Sequence, residues 1–174
     1  MSNIKFELNK SNSNNLFHKA GLLQIGDIFS GYFSRDLAIP HSTYKIVIDR
    51  KYDTEGNNTE LKILVFCSNS DPITVTISGG ENISDFSEYD YSFNIDMSRS
   101  SDLSFKKFNE VKISETFLSR EPYVDDPEFV VMMKTGESSY ILLDSMEEGE
   151  HHIKSGDEKM GLISLPIIAT LSRK

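Results

Sequence analysis

The sequence has a single cysteine, Cys67, among 174 residues and no tryptophan. One thiol excludes an intrachain disulfide and any zinc site built on cysteine pairs. No apolar run approaches the roughly 20 residues a membrane-spanning helix needs. The longest near-apolar stretch, MGLISLPIIATL (Met160–Leu171), is about half that length. A basic-then-apolar N-terminal stretch is also missing, so the expectation is an intracellular chain, cytoplasmic at synthesis and without membrane contact. On that expectation the sequons Asn57-Asn58-Thr59 and Asn82-Ile83-Ser84 carry no glycan. The phosphate, dinucleotide and hydrolase fingerprints GxxxxGK[ST], GxGxxG and GxSxG are absent, which removes the common enzyme classes that depend on them.

Positive charge is in short supply. Lys and Arg number 18 against 27 Asp and Glu, for a net charge of -9. Eight of those basic and eight of those acidic side chains fall in residues 1–80, so the whole acidic excess lies in residues 81–174. That half repels phosphate backbones, and non-specific nucleic-acid binding is excluded as a role.

A period of two is what the sequence has in quantity. It runs through NIKFELN (Ile4, Phe6, Leu8), TYKIVIDR (Tyr44, Ile46, Ile48) and ELKILVFCS (Leu61, Ile63, Val65, Cys67). It continues through PITVTIS (Ile73, Val75, Ile77) and YDYSFNIDMS (Tyr89, Tyr91, Phe93, Ile95, Met97). Alternation puts the two sets on opposite faces of a strand, which suits a sheet with one buried face. YDTEGNNTE, CSNSDP and SGGEN read as turns between these strands. FVVMMKTGESSYILLD reads as a hairpin, Phe129–Lys134 with Tyr140–Asp144. A last strand is expected in Leu162–Leu171, at an edge or a bulge because Pro166 lacks an amide hydrogen.

Helix signals are few. NNLFHKAGLLQ offers a turn or two before Gly21, and SRSSDLSFKKFNEV offers Ser100 or Ser101 as an N-cap for Leu103, Phe105 and Phe108, or else a strand. The expected fold is mainly β: an antiparallel β-sandwich or barrel of about 8–10 strands with one or two short helices. The chain reads as a single β domain over 1–174, with residues 1–20, including the polar run NKSNSNN, as an N-terminal arm.

Candidate sites are sparse. DSMEEGEHHIKSGDEKMG (Asp144–Gly161) surrounds the adjacent pair His151-His152 with acids, and Glu148, Glu150, His151 and His152 are ligand types for zinc. Adjacent strand residues face opposite ways, and neither HExxH nor an EF-hand loop is present, so the expected reading is a solvated acidic loop or hairpin tip with no metal and no cofactor. Any role for the histidines is then a charge-linked contact with a partner. EPYVDDPE clusters Glu121, Asp125, Asp126 and Glu128 between prolines, a surface loop suited to protein contact more than to acid–base catalysis. Glu121, Asp125, Asp126, Glu128, Glu147, Glu148, Glu150, His151 and His152 are therefore the expected partner-contact residues, and no catalytic residue is expected. Cys67 with His41 or His18 is the sole nucleophile–base candidate, but Cys67 alternates in register with Ile63 and Val65 as a packed apolar group would. The phenylalanines of FKKF (Phe105–Phe108) read as core, with solvated lysines.

These observations lead to the expectation of a non-enzymatic structural or assembly protein, acting through a protein partner or as a homo-oligomer. Residue usage rich in Ser, Asn, Asp, Ile and Lys fits an AT-rich genome such as many bacteriophages have, and so a virion head or tail component. A second reading is an acidic inhibitor or immunity-type protein that covers a basic partner such as a nuclease. A third is a barrel-type pocket lined by Tyr89, Tyr91, Phe93 and Phe129, residues that more simply form core.

Overall fold

A computed structural model describes residues 4–9, 16–33, 44–67, 70–96, 98–99, 104–120, 129–155 and 161–174. The first sheet contains β1 (Ile4–Asn9), β2 (Leu16–Lys19), β3 (Ile28–Phe33), β4 (Tyr44–Tyr52), β5 (Asn58–Phe66), β6 (Ile73–Ser78), β7 (Asn82–Ile95) and β14 (Ile167–Arg173). The second contains β8 (Ser104–Lys107), β9 (Thr116–Arg120), β10 (Phe129–Lys134), β11 (Ser139–Leu142), β12 (His151–His152) and β13 (Gly161–Ser164). The strand order is β1-β14-β7-β3-β4-β5-β6 in the first sheet, with β2 also on β7, and β12-β11-β10-β9-β13-β8 in the second.

Two sheets packed on a shared core make a sandwich rather than a closed barrel. All pairings are antiparallel except β1 with β14, which is parallel. The described residues thus hold fourteen strands, more than the eight to ten expected, because the last expected strand is broken into two and further strands form at Leu16–Lys19, Ile28–Phe33 and His151–His152. The break is at Pro166. The segment expected as one last strand becomes β13 in the second sheet and β14 in the first, and the Pro166 carbonyl accepts the amide hydrogen of Asp96. The expected helices are 3-10 turns, Ala20–Leu22 and Phe108–Glu110, with a third at Met146–Glu148. The alternating run at Ile4, Phe6 and Leu8 is β1 as expected, and residues 16–19 are β2; both lie in the first sheet.

The expectation of one buried face per sheet is overturned at the centre. On β4 and β5, Ile46, Ile48, Leu64 and Phe66 enter the core between the sheets, while Val47, Leu61, Ile63 and Val65 enter a second core on the other face. In the second sheet Met133 and Ile141 join the shared core, while Met132 and Leu142 join a third with Phe108 and Phe117. The unbroken runs IVI, ILVF and VVMM carry this pattern, since a strand buried on both faces has no polar side to alternate with. Burying a side chain the size of Phe29, Phe108 or Phe117 contributes roughly 2–3 kcal/mol each, and all three are fully buried.

Two lysines are drawn into these cores. The Lys134 ammonium donates to the carbonyls of Phe108 (2.9 Å) and Val111 (2.8 Å) and lies 4.6 Å from the Phe108 ring centre, fastening the 3-10 turn over the third core. The Lys45 ammonium donates to the Gly31 carbonyl at 3.0 Å and lies near the Phe29 and Phe33 rings. Gly31 has φ +148°, and a Cβ there would stand 2.5 Å from Ile83 Cγ2. Only glycine fits where β3 shifts register against β7. Cys67 packs partly buried against the second core, as its alternation with Ile63 and Val65 implies.

Candidate functional site

β4 pairs with β5 as Val47 with Ile63 and then Asp49 with Lys62, so Ile48 is an extra residue at a bulge. The bulge re-aims the strand. Without it Asp49 would follow Val47 into the second core. With it, Asp49 stands beside Lys62 and Thr76 in a row across β4, β5 and β6, on the face that looks toward the second sheet. The next row is Lys51 with Glu60. This is where the shared apolar core ends and the gap between the sheets becomes polar.

The opposite wall comes from the stretch Met146–His152. Met146 is buried in the shared core, and its 3-10 turn ends at Gly149, with φ +80°. A Cβ on Gly149 would lie 3.3 Å from the carbonyl oxygen of Ile48, so the turn docks directly on the bulge. From there the chain alternates. His151 and Ile153 face the third core, where His151 stacks on Tyr140 at 5.5 Å and Ile153 is buried. Glu150 and His152 face the first sheet. Together Asp49, Arg50, Lys51, Glu60, Lys62, Thr76, Glu150 and His152 line a cleft of about 290 Å³.

Glu150 anchors the cleft. Its side chain is 3% exposed and accepts hydrogen bonds from Lys62 (2.5 Å), Thr135 (2.5 Å) and Ser139 (2.7 Å). Burial pushes the Glu150 carboxyl up, but the bonds from Lys62, Thr135 and Ser139 together outweigh it and hold the group below its ordinary range. Because Lys62 belongs to β5 and Glu150 adjoins β12, the pair clamps one sheet to the other. Thr74 on β6 adds a second tie, donating to the Thr135 carbonyl at 3.1 Å. Lys51 and Glu60 form the other ion pair of the cleft, at 2.7 Å.

Three ionisable groups of the cleft, Asp49, Arg50 and His152, form no ion pair among the described residues. Asp49 accepts the backbone amide of Arg50 at 2.8 Å and forms no ion pair among the described residues, because Lys62 reaches across to Glu150. The Arg50 side chain, paired in register with Leu61 of the second core, contacts Gln24, Gly21 and Tyr52 instead. His152 is exposed and holds no hydrogen bond or ion pair among the described residues.

No protein-family model, curated protein or solved structure matches the chain.

The expected contact residues are thus divided. Glu147 and Glu148 are exposed, with Glu148 3.4 Å from His151 Nε2. Glu150 is turned inward, and His152 lines the cleft. Glu121, Asp125, Asp126 and Glu128 lie outside the described residues. The stretch expected to be a solvated loop is, over residues 145–153, a packed lid fixed by Met146, Gly149 and Ile153. The alternation of Glu150 and His152 against His151 and Ile153 is the signal that marks it as a strand. Of the aromatics proposed for a pocket, Tyr89 is buried in the shared core with its hydroxyl 2.9 Å from Ser30, while Tyr91 is partly exposed. Among the described residues no group of three or more His, Cys, Asp and Glu side chains is placed to hold a metal, and no helix is long and apolar enough to cross a membrane.

Phe105 is the largest departure from expectation. It was expected in the core and is 85% exposed, on β8 at the end of the second sheet, while Phe108 is fully buried. The pairing of β8 with β13 sets Phe105 opposite Ile163, at the rim of the shared core. Lys106 is tied to Glu115, which also accepts from Ser164 at 2.7 Å. The cleft and Phe105 therefore lie at opposite edges of the second sheet.

Proposed function

We propose that the protein is a non-enzymatic assembly component, of the kind found in a virion head or tail, that works through protein–protein contacts along an open sheet edge. The observation that supports this reading is Phe105. Burying a phenylalanine contributes roughly 2–3 kcal/mol, and here that contribution is forgone in a chain that places Phe29, Phe108 and Phe117 fully inside. A strand edge with no neighbour among the described residues is a template for strand addition by another chain, and an exposed aromatic beside it is an anchor for the partner's side chains. Lys107, on the same strand, sets positive charge against the acidic surface that most of residues 81–174 would present to it.

The test is the mass of the protein in solution. At roughly 100 μM, where an interface of micromolar strength is saturated, light scattering and native mass spectrometry are expected to give a defined oligomer of the 19.7 kDa chain. Phe105→Ser is expected to return a monomer while leaving the unfolding free energy within about 0.5 kcal/mol, as befits an exposed site. A wild-type monomer under these conditions overturns the proposal.

A further inference from the structure

We infer that the cleft between β4–β5–β6 and β12 is a binding site for a cationic group rich in N–H donors, an alkylammonium or guanidinium, received by Asp49 and His152. Three observations carry this. The bulge at Ile48 turns Asp49 out of the second core and into the cleft, a local irregularity of the sort that re-aims a functional side chain. The natural counter-ion for Asp49, Lys62 directly opposite it, is withdrawn by the buried Glu150 clamp. Lys51 is paired with Glu60, with Asp49 acting on it only through space, and Arg50 is turned to Gln24 and Tyr52 with its Nε unpartnered. Both lysines of the cleft are thus paired while one carboxylate is not. On the opposite wall His152 holds no hydrogen bond or ion pair among the described residues. These two groups in a cleft of about 290 Å³ match a compact cation with several donors, and a carboxylate reads such a donor set through charge-assisted hydrogen bonds.

The cation is either a free small amine or guanidine, or the lysine or arginine side chain of a protein partner. The experiment is an amide chemical-shift titration of the intact chain with methylguanidinium and with n-butylammonium, using tetramethylammonium, which has the charge but no donors, as the control. Saturable shifts are expected at Asp49, Thr76 and His152 for the two donors, with Kd near millimolar. Asp49→Asn is expected to weaken binding by roughly tenfold or more, the scale of one charge-assisted bond, and His152→Ala by less, with neither changing the unfolding midpoint. A tripeptide carrying one arginine separates the sources: tighter binding than methylguanidinium assigns the cation to a protein partner, and equal binding assigns it to a small ligand. Unsaturable shifts, equal shifts with tetramethylammonium, or full binding by Asp49→Asn overturns the inference. The outcome is independent of the oligomer test, because the cleft and Phe105 occupy opposite edges of the second sheet.

Discussion

Glu150→Ala is expected to lower the unfolding free energy by about 3 kcal/mol at pH 7. The loss is large because the carboxylate satisfies three donors at once. Lys62 is about a third exposed and can turn to water, but Thr135 and Ser139 are buried and keep only the bond between their own hydroxyls, at 3.1 Å. Glu150→Gln keeps the shape and one acceptor oxygen, and is expected to cost about half as much. The pH dependence separates charge from shape. Because the folded Glu150 carboxyl sits below its ordinary value of 4.5, its stabilisation is present above that value and is lost as the pH falls through the lower folded value. Urea denaturation across that range is expected to show the wild type losing more stability than Glu150→Gln. Glu115 contributes an acid-side loss of the same sign, common to both proteins. Parallel curves for the two would show that folding does not perturb the Glu150 carboxyl, and a wild type gaining stability over Glu150→Gln as the pH falls would show it held as a neutral acid.

Lys45→Met is expected to behave in the opposite sense. Burial pushes the Lys45 ammonium down to about 8 from its ordinary 10.5, with the nearby Cys67 opposing it weakly. Between pH 8 and 10.5 the unfolded chain holds a proton that the folded chain has released, so stability rises with pH across that window. What is present above 10.5 is lost as the pH falls through 8, and at pH 7 the folded protein carries the full cost of a buried ammonium, about 3 kcal/mol. Methionine of similar length removes that cost and forfeits the bond to the Gly31 carbonyl. The absolute stability of the variant therefore matters less than its difference from wild type, which is expected to shift by about 3 kcal/mol in favour of wild type between pH 7.5 and 10.5. A difference constant with pH would place the Lys45 ammonium in water.

The strands were legible wherever apolar and polar residues alternate, as in TYKIVIDR and ELKILVFCS, because side-chain direction in a strand is set by backbone geometry alone. Even the partition of faces was legible: Tyr44, Ile46 and Ile48 share one core, and Leu61, Ile63 and Val65 another. The double-sided burial was written in the same lines, in side chains such as Val47 and Leu64 that fall between the alternating positions. The site was not legible, for a physical reason. Asp49 reaches the cleft through a single extra residue in β4, and a bulge is a property of two strands in register, with no signature in one. An acid in a run such as EEGEHH is expected to face solvent, as acids usually do, yet Glu150 is turned inward. Its three partners come from residues 62, 135 and 139, which only the packed sheets bring together. Phe105 shows the converse failure, since nothing local tells an aromatic in FKKF that its strand will be the last of its sheet.

The parallel pairing of β1 with β14 has a kinetic meaning. Ile4 lies against Ile167 and Leu8 against Leu171, so among the described residues β1 has no hydrogen-bonding neighbour until β14 is made. Closing a loop of that size is slow, and parallel pairing late in synthesis is among the slower events in folding. During the wait, Ile4 and Phe6, destined for the shared core, stay available to any other exposed strand. The seam between β1 and β14 is thus the step at which correct folding competes with aggregation, and chaperone dependence in a cell-free translation is expected to end only when residues 167–173 have cleared the exit tunnel.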